Sequence, residues 1–302
     1  MSIPTLAETR PSPAAGILSV ECELTARCQL QCSHCCTLSG PKANTGTMTH
    51  DDWLKATRSI AGLGIPAIQF IGGEPTLYPR LIELIEYSRR HSLAVEVYSN
   101  LAHIRGALWE TLEQDGVRLA TSYYSDDPAQ HDEITGVSGS HGRTRANIVE
   151  AVRRGIPLRA GIVRVLEGQR AEEAEAELRQ LGVQQIQVDR ARKVGRAADQ
   201  AVSIPSVSEL CGHCFHQRVA ISPDGEVYGC ILSRFLPTGN VKSEPLDAIL
   251  AGRRWREART AVPVRVGQGC APDDSSDCDP SKTPACDPAY HLAPPPALGV
   301  SE

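Results

Sequence analysis

The chain lacks the features that would place it in a membrane or hold it on a polyanion. No run of about eighteen apolar residues occurs, so a transmembrane helix is not expected. No basic, apolar and small-residue succession opens the chain as a secretory signal would. There is no excess of positive charge: 31 Lys and Arg stand against 36 Asp and Glu, a net charge of −5. A protein whose main business is gripping nucleic acid electrostatically is therefore not expected, and neither is a membrane partner. Disorder is not the default either, because 41% of the residues are hydrophobic and 22% charged, as in an ordinary globular enzyme. At 302 residues the chain suits one large domain or a domain with an appendage. It reads as soluble and cytoplasmic, and in a reducing compartment eleven cysteines are expected to be metal ligands rather than disulfides.

Three of those cysteines stand close together, in Cys28-Gln29-Leu30-Gln31-Cys32-Ser33-His34-Cys35, directly after a strand-like run from Leu18 to Leu24. Three thiolates on one short loop converge on a soft metal or a cluster, and cysteine is the usual iron–sulfur ligand. A four-iron cube with three protein ligands leaves one iron open to a small molecule. A zinc site completed by His34 is the other reading of the same spacing. A second stretch, Gly72-Gly73-Glu74-Pro75, closes the apolar run Ile65 to Ile71, where two glycines allow close backbone approach to a ligand and Glu74 offers a fixed acceptor at a strand end.

The CxxxCxxC spacing resembles the signature of the radical S-adenosylmethionine (SAM) enzymes, and Gly72 to Pro75 resembles the GGEP motif of the same family. His34 stands where that family usually has an aromatic residue. The resemblance implies a 4Fe-4S cluster on Cys28, Cys32 and Cys35 whose open iron is chelated by SAM. It also implies that Gly72, Gly73, Glu74 and Pro75 hold the SAM ammonium, and that one electron splits SAM to methionine and a 5'-deoxyadenosyl radical. A zinc module has no reason to carry both motifs.

Beyond the cluster loop the chain alternates. A capping box of Thr49 and Asp52 opens a helix ending near Gly62 and Gly64. Strands are expected at Ile65 to Ile71, Ala94 to Ser99, Val117 to Ser122, Leu158 to Arg164 and Gln184 to Val188. Helices are expected at Pro79 to His91, Ile104 to Gln114, Arg143 to Arg154 and Arg170 to Leu181. This is an α/β pattern with a parallel sheet. Counting the strand before the cluster gives six βα units, matching the partial (β/α)6 TIM-like barrel that the resemblance implies. Sites on such barrels gather at the C-terminal strand ends. Ser99 and Asn100 are thus candidates for the SAM ribose, Ser122 for a further contact, and Arg164 for the SAM carboxylate. The plainer readings are a turn asparagine, strand-end serines and a solvated arginine. Ser125 to Gly142 reads as a long polar loop at the active-site lip, with His131, Asp132 and Gly136 resembling a family stretch. Arg190 to Arg196 brings positive charge to the barrel mouth, or is a solvated run.

From residue 206 the composition changes. Cys211-Gly-His-Cys214 precedes a hairpin-like passage, Val219 to Ile231, with a Pro223-Asp224-Gly225 turn and Cys230. This resembles the opening of the SPASM or twitch extension, an auxiliary iron–sulfur appendage carrying a β-hairpin and a helix. A thioredoxin-like CxxC and a zinc knuckle are the alternatives. One auxiliary cluster is expected on Cys211, Cys214, Cys230 and Cys270. Cys278 and Cys286 are then left over as ligands of a second, incomplete cluster or as free thiols, one of them a potential hydrogen-atom donor. Cys22 and Cys36 are read as structural. The expected organisation is a flexible lead-in at 1–16, the barrel at 17–200, the auxiliary domain at 206–286 and a disordered tail at 287–302.

The function implied by the resemblance is hydrogen-atom abstraction from an unactivated carbon, in cross-linking or epimerisation of a ribosomally made precursor peptide. The alternative is a small-molecule substrate such as a sugar or nucleoside, and a non-catalytic electron carrier is the reading from another class. A flavodoxin or ferredoxin would supply the electron. About twenty residues before the cluster motif are too few for a peptide-recognition domain, so a separate recognition protein is expected.

Overall fold

The computed structural model describes residues 12–104, 106–198, 205–262 and 264. Its strands form one sheet in the order β6-β5-β4-β3-β2-β1-β7-β8-β9. Six parallel strands form the barrel: β1 (Ser19–Glu23), β2 (Ala67–Ile71), β3 (Ala94–Tyr98), β4 (Val117–Ser122), β5 (Leu158–Arg164) and β6 (Gln185–Arg190). β6 has no sheet partner among the described residues on its outer side, so the barrel is partial. The crossovers are α1 (His50–Gly62), α2 (Leu81–Arg90), α3 (Gly106–Leu112), α5 (Ser140–Arg153) and α6 (Ala171–Gln180). The Thr49–Asp52 capping box is present, with each residue bonding the other's backbone N–H. No helix among the described residues is long and apolar enough to cross a membrane.

The parallel strands alternate in chemistry. Val20, Cys22, Ile68, Phe70, Val95 and Val97 belong to the buried apolar core, which also takes in Trp53 and Ile60 of α1 and Leu84 and Ile85 of α2. The intervening positions carry a polar row: Glu21, Gln69 and Glu96 are buried, and register sets them side by side with half-buried Arg118 across β1 to β4. Glu96 accepts from Arg159 at 2.9 and 2.6 Å and pairs with Arg118 at 3.0 Å. Burial opposes its charge, but the arginines prevail and hold its carboxyl below the usual range. Such buried ions persist only when paired and hydrogen-bonded.

Two expectations change. Residues 125–142 are not a loop: α4 (Pro128–Thr135) is capped by Asp127, has Pro128 at its first position and ends on left-handed Gly136. Asp132 then accepts from Ser140 Oγ and His141 N at 2.8 and 2.9 Å, fixing the start of α5. The helix expected after residue 246 is two, α7 (Leu246–Ala251) and α8 (Arg253–Ala261), interrupted at Gly252 in extended backbone.

The C-terminal hairpin continues the barrel's own sheet. β7 (Arg218–Ile221) runs parallel to β1, and β8 (Glu226–Tyr228) and β9 (Gly239–Asn240) follow antiparallel. Two β1 carboxylates clamp this extension: Glu21 accepts from Ile231 N at 2.8 Å, and Glu23 pairs with Arg234. Burial raises the Glu23 carboxyl from 4.5 to about 7, with Arg234 pulling the other way. The native state therefore keeps a proton that the unfolded chain sheds first, and Glu23 weakens the fold as pH rises from 4.5 to about 7. The thermal midpoint of cluster-free protein is expected to fall more steeply over that window than that of Glu23→Gln. Calorimetry at a series of pH values checks this, and parallel profiles would refute it.

Candidate metal centre

Cys28, Cys32 and Cys35 occupy a loop with little regular structure of its own, so its backbone groups must be satisfied by neighbours. Those neighbours come from three directions. Behind the loop, Gly73 N donates to Thr25 O at 2.7 Å and Glu74 N to Arg27 O at 2.9 Å. A Cβ on Gly73 would collide with the Arg27 carbonyl, so the second glycine serves backbone packing against the cluster loop. Beneath it, Gln31 N and Ser33 N donate to Thr135 O and Ile134 O of α4 at 2.9 and 3.0 Å. From the far side, Arg196 N donates to Cys35 O at 2.9 Å.

The three cysteines face one cavity of about 320 Å³ that is also lined by Gly72, Gly73, Asn100 and Ser122. These lie at the C-terminal ends of β2, β3 and β4. Ser122 Oγ is 3.1 Å from Tyr98 Oη, and Tyr98 and Tyr124 are in the wall. Other candidates lie elsewhere. Glu74 is fully buried, and its carboxylate accepts from Ser99 Oγ at 2.8 Å, Asn100 N at 2.9 Å and Thr76 N at 3.1 Å. Glu74 and Ser99 therefore brace the ends of β2 and β3 to each other, and neither they nor Pro75 line the cavity. Burial, opposed by those donors, leaves the Glu74 carboxyl above its usual range. Arg164 pairs with Glu172 outside the cavity. Of the strand-end positions, the structure brings Asn100 and Ser122 to the cysteines and leaves Ser99 and Arg164 out.

Arg190, Arg192 and Arg196 of the basic segment do line the cavity. Arg190 is held by Glu209 at 2.8 Å and Arg192 by Asp189 at 2.8 Å, while Arg196 donates to the Ser39 carbonyl. From the extension, Cys211 and Cys230 reach the same cavity. Cys230 and Cys214 form a disulfide, with Cα atoms 5.1 Å apart, and neither sulfur is free to bind metal while that bond stands. Cys270 lies outside the described residues, as do Cys278 and Cys286. Cys22 is in the core, whereas Cys36, read as structural, reaches the cavity wall.

The donor set fits an iron–sulfur cluster. Burial, then the neighbouring Glu74, pushes the Cys28 thiol up to about 12; burial, then Cys35, pushes Cys32 up to about 11. Thiols packed this way ionise only when a strongly positive centre binds them. Among the described residues no group of three or more His, Cys, Asp or Glu is placed to hold a metal ion. His34 turns edge-on to Tyr124, with ring centroids 5.1 Å apart, and burial, then Arg196, lowers its pKa to about 4.

The family model for the radical SAM superfamily matches residues 22–181. The chain belongs to that superfamily. A second model, an iron–sulfur cluster-binding domain termed SPASM, matches residues 211–279. Among curated relatives, the PqqA peptide cyclase of Gluconobacter oxydans is 28% identical over 184 residues, covering 60% of this chain and 50% of that protein. The AdoMet-dependent heme synthase of Methanosarcina barkeri is 32% identical over 127 residues, covering 42% and 36%. The alignments thus span about a third to a half of these relatives' lengths. Streptococcus suis SuiB bound to S-adenosylmethionine superposes with a TM-score of 0.67 at 16% identity, covering 81% of this chain and 68% of that one. SuiB bound to the precursor peptide SuiA gives the same score at 14% identity, covering 81% and 67%. These likenesses show the radical SAM fold.

Sequence reasoning missed Glu21, Gln69, Tyr98 and Arg218 of the cavity wall, although polar residues alternating with apolar ones inside buried strands are the signal of an interior-facing row. It also missed how the basic segment touches the radical SAM cluster loop. Gly195 has φ +64°, and a Cβ there would collide with Cys35 O and Cys36 C, whereas Gly155, at φ +70°, has open space around it. Gly195→Ala and Gly155→Ala are each expected to cost about 1–2 kcal/mol of stability from the left-handed backbone. Only Gly195→Ala should also lose the iron and sulfide of one cluster, measured per chain after reconstitution; equal loading of the two variants would refute the role of this contact.

Proposed function

We propose that this chain is a radical SAM enzyme that matures a ribosomally synthesised peptide by cross-linking or epimerisation. The observation that carries the reading is the cavity that joins Cys28, Cys32 and Cys35 of the barrel to Cys211 and Cys230 of the extension. A substrate there lies between a site for radical generation and one for an auxiliary cluster. The peptide cyclase relatives and the likeness to SuiB favour a peptide substrate.

Cys28, Cys32 and Cys35 would hold the 4Fe-4S cluster, and Gly72, Gly73, Asn100 and Ser122 would form the wall for SAM. Cys211, Cys214 and Cys230, the last two as reduced thiols, with Cys270 would hold the auxiliary cluster. When bound, the first cluster and SAM supply a 5'-deoxyadenosyl radical that takes a hydrogen atom from substrate. The chain's own contribution is positioning: the loop contacts fix the sulfurs, Tyr98 and Tyr124 wall off water, and the cavity holds the reacting carbon close. An external donor such as a flavodoxin or ferredoxin would deliver the electron, and a separate protein would present the peptide leader.

The test is anaerobic reconstitution with iron and sulfide, then mass spectrometry after adding SAM, dithionite and any short peptide that the neighbouring reading frames encode. The wild type should release 5'-deoxyadenosine and either remove a pair of hydrogen atoms from the peptide or invert a residue. The triple variant Cys28→Ala, Cys32→Ala, Cys35→Ala should release none. Deoxyadenosine with a peptide unchanged in mass, connectivity and stereochemistry would move the substrate to a small molecule. No deoxyadenosine from a zinc-loaded wild type would overturn the radical reading.

A further inference from the structure

Asn100 sits at the end of β3 with every polar group engaged. Its backbone N–H donates to Glu74 Oε2 at 2.9 Å, and its carbonyl accepts from Thr144 Oγ1 at 2.9 Å. Its side-chain oxygen accepts from Gln29 Nε2 and from Ala102 N, each at 2.9 Å. Both of those partners are donors, so the oxygen end of the amide is fixed and the NH₂ end must point the other way. That end donates to Cys28 Sγ at 3.5 Å.

We infer that Asn100 is a positioning residue of the cluster whose amide N–H, donated to the Cys28 sulfur, raises the reduction potential of the 4Fe-4S cluster. The inference rests on the radical SAM reading of the loop. A ligand sulfur carries more negative charge when its cluster is reduced, so a donor aimed at it stabilises the reduced state more than the oxidised one. Leu30 N, at 3.4 Å, is a second donor to the same sulfur. On Cys35 the corresponding partner is Thr37 Oγ1 at 3.3 Å, itself 2.7 Å from Ser39 Oγ. Asn100 differs from these local donors: it reaches Cys28 from 72 residues away, and its placement depends on Glu74. The end of the GGEP stretch and the potential of the cluster are thereby linked through one amide.

The test is a dithionite redox titration of the reconstituted full chain, followed by electron paramagnetic resonance of the signal that changes on adding SAM. Asn100→Leu is of similar size, adds no charge and removes the N–H on sulfur, together with the oxygen that Gln29 and Ala102 bond. Its midpoint should fall, with the equilibrium constant for one-electron reduction dropping on the order of tenfold, ~59 mV. Gln29→Leu, which frees the amide to turn without touching Asn100, should shift the midpoint in the same direction by less. Unmoved midpoints in both variants, with SAM-responsive clusters present, would overturn the proposal alone. A wild type with no SAM-responsive signal would overturn the underlying reading instead.

Discussion

The site depends on close backbone packing of residues 25–40. This stretch has few hydrogen bonds of its own to spend, and Cys28 N, donating to Gly40 O at 3.2 Å, is among them. The other constraints arrive from the ends of β2, α4 and β6, elements far apart in sequence that the barrel brings to one rim. Backbone hydrogen bonds to fixed elements leave little rotational freedom in the main chain that carries the three cysteines. A loop held this way has less conformational entropy to lose on binding than a free one.

That dependence explains why some of the molecule was legible in its sequence and some was not. The parallel strands announced themselves as short apolar runs bounded by glycine and proline, and the observed β4 and β5 have the expected limits because those signals are local. α4 was missed because its eight residues, Pro128–Thr135, present no broad apolar stripe. Its Asp127-Pro128 start and Gly136 stop were nevertheless written in the chain. The two cysteine motifs stood out because their spacing is short-range, and the family models match the segments that contain them. The role of Glu74 was not, because nothing local says that its carboxylate is consumed by Ser99 and Asn100 rather than by a ligand.

The interior row shows the same limit in another form. Glu96 and Arg159 are 63 residues apart, and only the register of the two strand pairs that join β3 to β5 through β4 makes them partners. A strand that alternates polar and apolar residues ordinarily has one wet face, yet here both faces are buried. The polar row works because charges of opposite sign meet inside the barrel, and removing one of them would strand its partner in a low-dielectric interior. The C-terminal extension exploits the row's edge: Glu21 and Glu23 hold Ile231 and Arg234, so the segment carrying Cys230 is docked by the strand that leads into Cys28.

The GGEP and CxxxCxxC stretches therefore belong together for a mechanical reason. Gly73 fits against Arg27 only because it has no side chain, which sets the height of the loop one residue before Cys28. Glu74, next in the chain, fixes the backbone of Asn100, whose amide meets the Cys28 sulfur. One turn after β2 thus acts on the same cysteine twice, through the loop's backbone and through β3. A substitution that moved this turn would displace the Cys28 sulfur and its hydrogen-bond donor together, which couples the shape of the cavity wall to the surroundings of that sulfur.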